Sequence, residues 1–224
     1  MRRASDLIRT LLAGALATVA AFGEAAPAAT AAAADVTTLT GRAMAATPEG
    51  AIRTLEPGKP VYSGETIVTN PNSYIRMKFT DGGAVLLRPN SRFQIEDYNL
   101  SDRPAENRSF FRLVKGGFRA VTGLVGRTNR ENYRVTTAVA TIGIRGTDFE
   151  GRLCEGDCLD VDPPVADGLY VGVKHNDVIE LCTAAGCIDV DAGQFAFAPA
   201  PNVKPEHIPQ PSVLPGDMGS PDCP

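Results

Sequence analysis

An all-β domain is the fold class this sequence predicts, on three observations. Turn-forming residues recur every 8 to 12 positions from Asp35 onward, and apolar and polar residues alternate between those turns. No stretch before Pro199 keeps helical periodicity over three turns. Many short strands at regular spacing suit a sandwich or barrel or a solenoid-like roll, and no strict repeat chooses among them. The chain has 224 residues, 43% of them hydrophobic, enough to bury one good core.

Residues 1–34 read as a signal peptide followed by an Ala-rich linker. Met1-Arg2-Arg3 and Arg9 make a positive start, Leu11 to Gly23 an apolar run too short for a comfortable membrane span, and Ala25 to Ala34 offer small-residue cleavage options. The mature protein is therefore expected outside the cytoplasm, periplasmic or secreted, and not membrane-spanning after cleavage. A single domain is expected over 35–198. Pro57-Gly58, Ser63-Gly64, Pro71-Asn72-Ser73, Asp81-Gly82-Gly83 and Pro89-Asn90-Ser91 supply its turn chemistry. Between them Ile75, Met77 and Phe79 point one way and Tyr74, Arg76 and Lys78 the other, and Phe93 and Ile95 oppose Arg92, Gln94 and Glu96. In F-R-L-V-K-G-G-F-R the pair Gly116-Gly117 reads as a tight hairpin turn. Residues 199–224 hold eight of the seventeen prolines and read as a disordered or extended tail.

Charge is uneven along the chain. Residues 88–152 carry 12 basic and 7 acidic side chains, whereas 153–224 carry 2 basic and 12 acidic. The middle is thus about +5 and the C-terminal third about −10. Local pairing on a solvated surface accounts for this, and an anionic partner facing the middle is the sharper alternative. The outward residues Arg76, Lys78, Arg92, Arg112 and Arg119 form the candidate set for such a partner, an envelope polysaccharide or lipopolysaccharide being the chemistry that fits. Nucleic acid is excluded as a target: the chain is acidic overall and lacks an aromatic-studded basic groove.

Four of the five cysteines fall between Leu153 and Asp191, as Cys154/Cys158 and Cys182/Cys187. In an exported chain disulfides are the default, either two local bridges or a crossed pair. A four-thiolate zinc site is the competing reading, at spacings looser than the usual knuckle. Asp157, Asp160 and Asp162 match no calcium loop and read as a solvated acidic turn. No cofactor or metal is expected. No G-x-S-x-G elbow, H-E-x-x-H helix, phosphate loop or dinucleotide fingerprint is present, and His175, one of two histidines, reads as exposed in a turn. The class expected is therefore not an enzyme.

Thr136 to Glu150, T-T-A-V-A-T-I-G-I-R-G-T-D-F-E, is the most distinctive stretch. Gly143 and Gly146 flank Arg145 in an otherwise apolar strand. Arg145 and Asp148 are the remaining binding candidates, with an Arg145–Asp148 pair locking a buried bend as the structural reading.

Taken together, G-E-T-I-V-T-N-P-N-S-Y-I-R-M-K-F-T-D-G-G-A-V-L-L-R-P-N-S-R-F-Q-I, F-R-L-V-K-G-G-F-R and Y-R-V-T-T-A-V-A-T-I-G-I-R-G-T-D-F resemble the FecR protein domain. The resemblance covers Gly64 to Glu150 and extends, through Gly193-Gln194, to about Ala198. Glu65 stands where that family commonly has aspartate. The resemblance implies an all-β extracytoplasmic domain that works through protein contacts, with a membrane-bound sensor or an outer-membrane protein as partner. In the regulator that gives the family its name, a periplasmic region receives a signal from an outer-membrane transporter and passes it inward. This sequence shows no anti-sigma segment, no transmembrane helix and no second signalling domain, so the domain carries over rather than the whole circuit.

Overall fold

A computed structural model describes residues 31–144, 146, 148–158, 161–175 and 178–214. The first strands are β1 (Ala32–Thr40), β2 (Ala43–Ala46), β3 (Ile52–Thr54), β4 (Pro60–Tyr62), β5 (Thr66–Thr69) and β6 (Tyr74–Phe79). Next come β7 (Ala84–Leu87), β8 (Arg92–Asn99), β9 (Arg108–Val121), a one-turn helix α1 (Leu124–Thr128), β10 (Tyr133–Thr136), β11 (Thr141–Ile144) and β12 (Asp148–Cys154). The chain closes with β13 (Gly168–His175), β14 (Ile179–Thr183), β15 (Gly186–Val190), β16 (Phe195–Ala198) and β17 (Glu206–Ile208).

The expected all-β class is what the chain adopts, and strand pairing arranges it in two facing layers. Sheet I runs β4-β1-β6-β7-β9-β12-β13-β16-β17. Sheet II runs β3-β2-β5-β8-β9-β10-β11-β14-β15. Strand β9 belongs to both, so the layers are one sheet folded on itself and left open rather than a closed barrel. All described pairings are antiparallel except β9 with β10.

Residues 108–115 of β9 pair with β8 in sheet II, and residues 116–121 pair with β7 and β12 in sheet I. The change of layer falls on Gly116-Gly117. Gly116 has φ +87°, and a Cβ there would stand 2.4 Å from Ser91 Oγ, so only glycine serves. The expectation of a hairpin at this pair is therefore corrected: the chain bends between layers and continues in the same direction.

The same device occurs twice. Chain passing from β1 to β2 also changes layer, at Gly41 (φ +75°), whose missing Cβ would lie 2.3 Å from Ser73 Oγ. Arg42 N–H donates to Ser73 Oγ at 2.9 Å, as Gly117 N–H donates to Ser91 Oγ at 3.0 Å. Asn70 N–H reaches Arg42 O at 3.0 Å, as Arg88 N–H reaches Gly117 O at 3.0 Å. Both serines end a Pro-Asn-Ser turn whose asparagine has φ 55°. These turns carry β5 into β6 and β7 into β8, each crossing between layers. Two Pro-Asn-Ser corners thus brace two glycine crossovers with one hydrogen-bond pattern.

Between the layers lies the core. Phe93, Phe111, Phe118 and Phe149 are fully buried and touch in sequence, with ring centroids 5.3 Å, 5.8 Å and 5.5 Å apart for Phe93–Phe111, Phe93–Phe118 and Phe118–Phe149. Ile75, Met77, Phe79 and Ile95 face this core, as the alternation predicts. Tyr98 also closes on it. Its hydroxyl bonds Thr80 Oγ1 and accepts from Asp81 N–H, each at 2.9 Å, and burial pushes its pKa up to about 12.

Two boundaries differ from the sequence reading. The domain starts at β1, with Ala33 and Ala34 buried in the core, because small side chains fit where β1 packs closely. Most of the leader-like segment, residues 1–30, lies outside the described residues. Within the Pro-rich tail, 199–214 packs on the outer face of sheet I. There β17 pairs with β16, and Val213 and Leu214 bury against Cys154, Cys158 and Tyr170, with Phe195, Phe197 and Ile208 around them. Prolines cannot extend a ladder, but they hold an extended segment whose spaced apolar residues can still dock. Residues 215–224 lie outside the described ones. Among the described residues no helix is long and apolar enough to cross a membrane.

Candidate binding surface on the outer face of sheet I

Alternation along β6, β9, β12 and β13 sends one residue in two to the core and the next to the outer face. On β12, Phe149, Gly151 and Leu153 point inward, which leaves Asp148, Glu150 and Arg152 outward. Arg119 on β9 lies directly across from Glu150, which faces Gly172 on its other side. The missing Cβ of Gly172 leaves room for the Phe195 ring, which would stand 2.7 Å from it.

The outward charges are bonded to one another. Arg119 grips Asp148 with both forks, Nε to Oδ1 at 2.9 Å and Nη2 to Oδ2 at 2.6 Å. Glu150 is 0% exposed, with Oε2 2.6 Å from Arg88 Nη2 and Oε1 2.9 Å from Lys174 Nζ. Arg88 Nη1 also donates to the Val213 carbonyl at 2.8 Å, so the tail sits on this pair. Burial lowers the pKa of the Arg88 guanidinium, and the charge of Glu150 opposes that shift. Arg152 Nη2 lies 3.2 Å from Asp157 Oδ2, within the turn closed by Cys154–Cys158. Beside Arg88, Arg152 and Cys158, a shallow cavity of about 330 Å³ opens along Val161, Ser212 and Val213.

The sequence-predicted residues divide between two faces. Arg76, Lys78, Arg119 and Asp148 belong to sheet I, with Lys78 exposed and Arg119 and Asp148 largely covered by each other. Arg92 and Arg112 belong to sheet II and face the opposite way, Arg112 being paired with Glu96. Arg145 lies outside the described residues, and so does its expected pairing; Arg119 is a partner of Asp148. Asp157 is taken up by Arg152 and Lys115, while Asp160 also lies outside the described residues.

Sequence reasoning missed Arg88, Glu150 and Lys174. One signal was available: Glu150 stands between Phe149 and Gly151 in an apolar strand, where an unpaired carboxylate would be costly. Its partners, 62 residues earlier and on the next strand, carried no comparable mark. The cysteines form two local bridges, Cys154–Cys158 and Cys182–Cys187, which displaces the crossed and zinc readings.

Comparison with known proteins gives one family match. The family model described as FecR protein matches residues 65–161. These residues run from β5 through β12 and include the second glycine crossover, Arg88, Arg119, Asp148 and Glu150. No curated protein matches the chain. Two crystal structures described as an anti-sigma factor from Parabacteroides distasonis align at 13% identity and TM-score 0.48, over 66% of this chain and 60% of theirs. A structure described as a cell surface anchoring domain aligns at 29% identity and TM-score 0.30, over 33% of this chain and 99% of that one. The chain thus spans about 60% of the length of the first two.

Proposed function

We propose, from the match of residues 65–161 to the FecR protein family model, that the chain is an exported, non-enzymatic signal-sensing module of the cell envelope that acts by contacting another protein. The observation that carries the reading is where the matched residues fall. They hold the crossover of β9 and most of the ion lattice on sheet I, a rigid charged face suited to a protein partner. Two disulfides fit an oxidising compartment, periplasmic or extracellular, and so does the leader-like start of the sequence. The partner is an envelope protein, either a membrane-bound sensor or an outer-membrane protein. Contact centres on Lys78 and Arg76, beside the Arg119–Asp148 pair. A glycan surface built from all five cations is the weaker reading, since Arg92 and Arg112 face away from the other three.

A photo-crosslinking residue placed at position 78, on sheet I, and separately at position 92, on sheet II, tests the assignment in the full chain. Incubation with envelope extract is expected to give a discrete protein adduct from position 78 and only background from position 92. Equal background from both positions would overturn the reading.

A further inference from the structure

The two disulfides occupy opposite environments. Cys154 and Cys158 are 1% and 2% exposed, beneath Tyr170, Val213 and Leu214. Cys182 is half-buried and Cys187 exposed, on the outer face of the β14–β15 hairpin. Strand β15 pairs only with β14 among the described residues, so this bridge stands at the edge of sheet II. A reductant reaches an exposed bridge and is shielded from a buried one.

Register places more than thiols there. Cys182 is directly opposite Cys187, and Glu180, two residues before Cys182, points to the same side. One ligand atom from each of Glu180, Cys182 and Cys187 lies within 4.8 Å of the others. A tetrahedral zinc ion with sulfur at about 2.3 Å holds its thiolates roughly 3.8 Å apart, so small side-chain rotations after reduction suffice. The backbone does not depend on the bridge. β14 is paired on both sides, by β11 and β15. The turn is tied to the tail by Ala184 N–H to Pro201 O at 2.8 Å and Thr183 Oγ1 to Val203 O at 2.9 Å. The thiols therefore stay facing each other when the bond opens.

We propose that Glu180, Cys182 and Cys187 form a redox-gated site for a thiophilic divalent cation such as zinc or cadmium. A dithiol reductant supplies two electrons and two protons to the Cys182–Cys187 bond and leaves as its own cyclic disulfide. The two cysteines then release their protons as they bind the ion. Glu180 gives the third ligand, and a fourth position stays open to water or an exogenous ligand. Two sulfurs in the set select thiophilic ions over magnesium or calcium. The proposal stands on register and exposure, independently of the envelope-sensor reading.

The test uses the full chain carrying Cys223→Ser, treated with a dithiol under native conditions. Alkylation and mass spectrometry are expected to mark Cys182 and Cys187 while Cys154–Cys158 stays closed. Cadmium added to the reduced chain should give the ultraviolet thiolate-to-metal absorption at one ion per chain. Magnesium, or cadmium on the oxidised chain, should not. Glu180→Gln should weaken cadmium binding about tenfold or more. The double variant Cys182→Ala/Cys187→Ala, with its strand circular dichroism retained, should show no cadmium absorption. A bridge that resists reduction longer than Cys154–Cys158 overturns the gate. Free thiols without cadmium absorption, or unchanged affinity in Glu180→Gln, overturn the site.

Discussion

At the scale of single residues, the buried charges on sheet I say most about how the surface is held. Glu150 is enclosed between Arg88 and Lys174, and its value lies in the partners it satisfies as much as in its own contacts. Removing one member of a buried pair leaves the other desolvated, at a cost of about 3–5 kcal/mol, while replacing both with apolar groups is often neutral or better. Glu150→Ala is therefore expected to lower stability by about 3–5 kcal/mol in urea denaturation, and Arg88→Met/Glu150→Leu to recover most of the loss. Lys174, at 13% side-chain exposure, can turn its ammonium toward water in the double variant. A double variant no better than the single would show that charge itself is required there. Sequence reading named Asp148 and Arg119 as separate candidates and did not join them. It looked three residues along the chain to Arg145, which lies outside the described residues, and not to Arg119, which bridges to Asp148 across the ladder. Cross-strand partners leave no trace in local spacing.

At the scale of elements, alternation was legible and layer-crossing was not. Ile75, Met77, Phe79, Phe93 and Ile95 all face inward as their period-2 pattern requires. Gly116-Gly117 misled because a glycine pair in a hairpin and one in a strand bend look alike; Ser91, which decides between them, is 25 residues away. The bend makes a sharp prediction. Gly116→Ala forces a non-glycine residue to positive φ and a Cβ to within 2.6 Å of the Ser91 Cα. Strain and overpacking together should cost about 2–5 kcal/mol. Alanine at Gly50, also at positive φ (+91°) but with nothing within 4 Å of the new Cβ, should cost only the strain, about 1–2 kcal/mol. Thermal denaturation of the two variants side by side measures the difference. Equal losses would mean that the Ser91 corner does not confine β9.

At the scale of the molecule, sharing β9 makes the two layers one cooperative unit. Neither sheet keeps its central strand if the other separates, and the core of Phe93, Phe111, Phe118 and Phe149 is common to both. Urea unfolding is expected to be a single transition, with far-ultraviolet circular dichroism and tyrosine fluorescence coincident. Separate midpoints would show that the layers unfold independently. The local charge asymmetry read from the sequence proves compatible with pairing close to home: Arg88, Arg108, Arg112 and Arg119 find Glu150, Asp97, Glu96 and Asp148, all within the basic middle. The shared strand also sets a timetable. β9 takes neighbours from both directions, β7 and β8 made before it and β10 and β12 made after it, so no early fragment can assemble the centre of either layer. A chain emerging from a ribosome or a translocation pore must wait for Cys154 before its middle can close. Until then it stays loose enough to be threaded.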